Sequence, residues 1–169
     1  MRYSSSYLFN HDIDWFCRVE GFYIHVASAG GWLPRHINDD EYLRNVQHRV
    51  AMMPDVYNDE DIVYNEQAIR NVMGRDVEIG KTYEEARTQY IESFTAMARK
   101  GFVSFDRTNI LNPDDNRYHV VCYPWTYRVI IQNLDHEIMI NSDYIDGWGE
   151  ILPVEFYKAG EEEWVIGER

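Results

Sequence analysis

The sequence predicts one α+β domain over residues 1–169, built from an N-terminal β-hairpin, two to three helices in the middle and a C-terminal antiparallel β-meander. Three observations predict it. Residues 14–27 (DWFCRVEGFYIHVA) form two β-rich runs around a short glycine-containing turn. Residues 82–101 hold helical apolar spacing between a Thr-x-x-Glu capping pair and a glycine. From Phe102 onward the period shortens to that of strands, with Asn-Pro-Asp-Asp and similar turn chemistry between them.

In the hairpin, a two-residue turn at Glu20-Gly21 sets Val19 opposite Phe22, Cys17 opposite Ile24 and Trp15 opposite Val26. That register makes one side wholly apolar. The other side carries Asp14, Phe16, Arg18, Tyr23 and His25. After Gly30-Gly31, the run Asn38-Asp39-Asp40-Glu41 supplies the cap and acidic first turn of a helix, Leu43, Val46, Val50 and Met53 its buried stripe, and Pro54 its stop. A weaker helical pattern covers 61–73, with Ile62, Ile69, Val72 and Met73 clustered but Tyr64 and Asn65 interrupting. The third helix opens on the Thr82/Glu85 box and closes on Gly101. Strands are expected at 102–107, 117–123, 127–132, 137–141, 151–157 and 163–166.

Charge narrows the function. With 29 Asp and Glu against 16 Lys and Arg, the net charge is −13, and this field repels phosphate backbones and anionic membranes. The acidity is uneven. Residues 38–80 hold ten acidic and four basic residues, and residues 109–169 hold twelve and four, whereas 1–37 and 81–108 are nearly balanced. Thirteen Tyr, seven Phe and five Trp exclude a disordered acidic tail, which lacks the apolar surface to fold. Cys17 and Cys122, far apart and both in strand-like runs, read as reduced buried thiols. No run approaches the roughly 20 apolar residues of a membrane span, and the first ten residues lack a signal-peptide core, so a soluble cytoplasmic protein without membrane contact is expected.

Gly74 to Thr82 ends in Gly-Lys-Thr before a helix, but it has five residues between its glycines where a P-loop has four, and Asp76 and Glu78 lie where phosphate would sit. Thr82 reads as a helix cap. His11-Asp12-Ile13-Asp14 places two carboxylates on one side of an extended chain without the further ligands a divalent ion requires, and the six histidines show no zinc spacing. Neither a metal nor a cofactor is expected. No Gly-x-Ser-x-Gly elbow occurs. A catalytic site, if present, falls where Asp14, Arg18 and His25 share the polar side of the hairpin, with His25 as general base and Arg18 as anion holder.

The run Ala98-Arg-Lys-Gly-Phe-Val-Ser-Phe-Asp-Arg-Thr, followed by Asn112-Pro-Asp-Asp-Asn-Arg-Tyr-His-Val-Val, resembles the end of a winged-helix domain. That resemblance implies a DNA-binding role for the 82–123 helix-hairpin, with Arg99, Lys100, Arg107 and Arg117 on phosphates. Glu84, Glu85, Asp114 and Asp115 oppose such contacts and make nucleic acid the disfavoured partner. The leading expectation is a non-catalytic acidic protein, an inhibitor or adaptor, that binds a protein with a basic surface. Trp32, Trp125 and Trp148, each in a turn region, are its candidate interface anchors.

Overall fold

The computed structural model describes residues 1–19, 22–34, 37–76, 80–115, 117–128, 138–142, 151–158 and 163–168. Strands β1 (Asp14–Val19) and β2 (Phe22–Ala27) pair antiparallel with Trp15 opposite Val26, Cys17 opposite Ile24 and Val19 opposite Phe22, the register the apolar alternation demands. Trp15, Cys17, Ile24 and Val26 are fully buried. The opposite side is not left to solvent either: Phe16 and His25 are buried there, and Asp14 and Tyr23 are half-exposed.

An unexpected helix precedes the hairpin. Ser4 caps α1 (Ser5–Phe9) by accepting a bond from the Tyr7 amide at 3.2 Å, and Leu8 anchors the turn in the core. Residues 1–3 are then strapped to the next helix, because Tyr3 and Asn38 exchange main-chain to side-chain bonds of 2.8 and 3.1 Å and the Tyr3 hydroxyl donates to Asp40. Helix α2 (Asp40–Met52) is capped by Asp39, which accepts from the Tyr42 amide, and it buries Leu43, Val46 and Val50 as its stripe predicts.

The helix expected from residue 61 begins later. Ile62–Tyr64 form β3, a short strand paired with residues 122–124, and Asn65 caps α3 (Glu66–Asp76) by accepting from the Ala68 amide. The two β-branched residues Ile62 and Val63 sit in a strand because a partner edge is available. Helix α4 (Tyr83–Arg99) carries the reciprocal Thr82/Glu85 capping box, and Gly101 closes it at a φ of +101° that a side chain resists.

Strand β4 (Phe102–Arg107) then runs parallel to β2, with Ser104 level with His25, and antiparallel to β5 (Arg117–Pro124). The antiparallel expectation for the C-terminal strands did not extend to this parallel pair; the intervening chain, carrying α2, α3 and α4, is the long crossover such a pair requires. With β6 (Ile138–Ser142), β7 (Ile151–Lys158) and β8 (Glu163–Glu168), the sheet order is β1-β2-β4-β5-β8-β7-β6. A simple meander would place β6 beside β5; instead β8 takes the first half of that edge and β3 the second. Trp125–Tyr127 form a 3-10 turn where a strand was expected to begin, and residues 129–132 of that expectation lie outside the described residues. The protein is thus a mixed α+β fold around one sheet, whose core joins both hairpin strands, α2, β4 and β5. Among the described residues no helix is long and apolar enough to cross a membrane.

Candidate functional site

The strand registers bring three polar side chains into a line. His25, held between the β1 and β4 positions of its neighbours, directs Nε2 to Asp14 Oδ1 at 2.8 Å and Nδ1 to Ser104 Oγ at 3.0 Å. Ser104 Oγ lies 3.3 Å from the Phe94 carbonyl of α4. A carboxylate only accepts, so Nε2 carries a proton and donates to Asp14. Phe16 and Phe94 flank the ring, at centroid distances of 5.4 and 5.8 Å.

Serine, histidine and aspartate in contact suggest hydrolytic chemistry, but accessibility runs the wrong way. Ser104 is 0% and His25 1% exposed, while the Asp14 side chain is 47% exposed. A nucleophile must meet its substrate, and here the serine is sealed inside and the carboxylate faces out. The chain of bonds therefore holds Asp14 in place. Its carbonyl is fixed as well, by Gln47 Nε2 of α2 at 2.9 Å. Of the three hairpin candidates the structure brings Asp14 and His25 into contact, and the Arg18 side chain lies outside the described part of the structure.

Asp14 opens into a cleft of about 420 Å³ between α1, α2 and the start of β1. Tyr3, Tyr7 and His11, spaced four apart, form a ladder along it: Tyr3 and Tyr7 stack at 4.7 Å and 10°, Tyr7 and His11 at 3.8 Å and 11°. His11 Nδ1 also bonds the Tyr7 carbonyl at 2.7 Å. Phe16, Val50 and Met97 contribute apolar lining. Asp12 stands at the mouth, its Oδ1 accepting from the Ala29 amide at 2.8 Å. Although the residue as a whole is exposed, desolvation, reinforced by the nearby Asp14 charge, raises its carboxyl from the ordinary aspartate value. Among the described residues the Oδ2 atoms of Asp12 and Asp14 bond to no protein group.

The other candidates fare differently. Arg107 is 1% exposed, and its five N–H groups are spent on the carbonyls of Ser28, Ala29, Asn109, Ile110 and Asn112, so it is a buried clasp between two loops and cannot reach a phosphate. Arg99 pairs with Asp59 at 2.6 Å, Lys100 with the Met53 carbonyl at 2.5 Å, and Arg117 with both oxygens of Asp115. The helix-hairpin is present, and of its four basic side chains Arg107 is sealed inside, while Arg99 and Arg117 sit in partly exposed ion pairs. Trp32 is 40% exposed, packs edge-on against Phe9 and donates to Asp114 at 2.8 Å. Trp125 is 58% exposed, and Trp148 lies outside the described residues.

Sequence reasoning missed the ladder, whose signal was present as aromatic rings four apart at 3, 7 and 11 around the capping Ser4. It also left unread a second network, in which the Tyr90 hydroxyl donates to Asp106 at 2.6 Å and meets His119, itself bonded to Thr108. Cys17 and Cys122 are free and buried, and burial raises both thiols out of the reactive range. Among the described residues no group of three His, Cys, Asp or Glu could hold a metal ion. No protein-family model, curated protein or solved structure matches this chain, so the site must be read from its own residues.

Proposed function

We propose that this chain is a non-catalytic acidic protein that binds a partner with a basic surface, an inhibitor or adaptor built as one domain over 1–169. The observation that supports this best is the cleft: its open polar atoms include carboxylate oxygens, while the histidine and serine that could do chemistry are sealed behind them. The field of −13 would steer such a partner toward it. A reducing, cytoplasmic setting suits two free buried thiols.

The test is capture by the immobilised full chain from source-cell extract at low salt, followed by mass identification and a salt wash. Basic proteins retained at about 50 mM salt and released as salt rises support the reading. Retention of nothing basic, or salt-sensitive retention of duplex DNA, overturns it; the second result would favour the helix-hairpin alternative.

A further inference from the structure

We infer that the cleft between α1 and the first hairpin is a receptor for an arginine side chain of the partner, a conclusion that rests on the basic-partner reading and sharpens it. Three features of the cleft converge on that ligand. Asp12 and Asp14 are each anchored through Oδ1, one by the Ala29 amide and one by His25, and each keeps Oδ2 for a donor. The walls are apolar beside them, at Phe16, Val50 and Met97, and so match the methylene stem that a long cationic side chain buries when its head is paired. The volume of about 420 Å³ far exceeds that of a single ion, and two carboxylates are too few oxygens for calcium or magnesium.

Guanidinium fits this arrangement better than ammonium. Its planar fork can give separate N–H groups to two carboxylates at once, and its weaker hydration lowers the cost of entering a half-apolar cleft. A cation lodged there also relieves the repulsion between the Asp12 and Asp14 charges. Specificity for arginine over lysine follows from shape and desolvation.

The experiment titrates the full chain with a Ser/Arg-alternating peptide, its Ser/Lys counterpart and free N-acetylarginine amide, using calorimetry at low salt. Variants Asp12→Asn, Asp14→Asn and, as an equal charge change outside the cleft, Glu60→Gln are compared, with circular dichroism melts to verify folding. The arginine peptide should bind more tightly than the lysine peptide or the free amide, and each cleft variant should weaken it about tenfold while Glu60→Gln changes it less than about twofold. Tyr7→Leu, at a partly exposed site, is a second cleft variant should Asp14→Asn fail to fold. Equal weakening by Glu60→Gln and Asp14→Asn, or no preference for arginine, overturns the cleft assignment but leaves the basic-partner reading standing. Equal binding of the free amide replaces a protein ligand by a small cation. No binding of either basic peptide overturns both.

Discussion

Arg107 lies so close to Gly31 that a Cβ there would stand 2.6 Å from its Nε and 2.7 Å from its Cδ. The glycine is the space the guanidinium occupies. Through that contact the 28–32 loop and the 109–112 loop share one buried cation, whose five N–H groups are given to five carbonyls. The same clasp fixes Ala29, whose amide holds Asp12, so the loop that carries the clasp also shapes the mouth of the cleft.

Breaking the clasp should therefore be costly. Arg107→Lys removes most of the donors and strands carbonyls in the interior, and a loss of about 3 kcal/mol in urea denaturation is expected. Gly31→Ala should act in the same direction, since neither the buried side chain nor the Ser28 carbonyl 3.0 Å away can easily yield. A loss below about 0.5 kcal/mol for both, the range of ordinary surface changes, would contradict the clasp.

Ser104 is sealed from solvent and in contact with His25. A serine-directed fluorophosphonate should leave it unmodified in the folded protein, and Ser104→Ala should cost about 1 kcal/mol of stability, the worth of a typical buried hydrogen bond. Labelling of Ser104 under native conditions would revive the enzymatic alternative.

Asp12 carries opposite consequences for stability and binding. Its pKa in the fold is raised, so the ionised form is disfavoured there, and stability contributed by the protonated carboxyl fades as pH rises through the raised value. Asp12→Asn should accordingly raise the urea midpoint at pH 7 and make little difference at about pH 3, where both forms are neutral. A variant less stable than the parent at pH 7 would show that the Ala29 bond outweighs desolvation.

Asp115 behaves in the reverse sense. The two-oxygen contact with Arg117, with help from the Arg117 amide and Asn109, holds its carboxyl well below the usual range. Its contribution is present above the ordinary aspartate pKa of about 3.9 and is lost as pH falls through the depressed value. Asp115→Asn should lower the thermal midpoint at pH 7, with the deficit narrowing as pH falls from about 4 toward the depressed value. An equal deficit at both ends of that range would assign the effect to shape and not to charge.

The chain reveals its local structure more readily than its tertiary pairings. The hairpin register was legible because a period of two, with Trp15, Cys17, Ile24 and Val26 in phase, leaves a single pairing that buries them all. The α4 boundaries were legible because Thr82, Glu85 and Gly101 are end signals in their own right. Residues 62–64 were read as helix because a three-residue strand exists only by virtue of the β5 edge, which no local pattern announces. The parallel pairing of β2 with β4 has the same origin, and it alone places Ser104 beside His25. Asp14 and His25 could be named as neighbours on one hairpin face, but their burial could not, because α4 supplies the cover through Phe94. The winged-helix resemblance puts Arg107 on a phosphate, and no local pattern announces the loop carbonyls that converge on it and bury it.

The most direct test of the account is a backbone-amide NMR titration of the labelled full chain with the Ser/Arg peptide. The account predicts shifts concentrated at Tyr3, Tyr7, His11, Asp12, Asp14 and Gln47, with Asp14→Asn abolishing them in proportion to the affinity lost. Shifts centred on Trp125 and the 3-10 turn, or spread evenly over the acidic surface of α2 while the cleft stays silent, would contradict it.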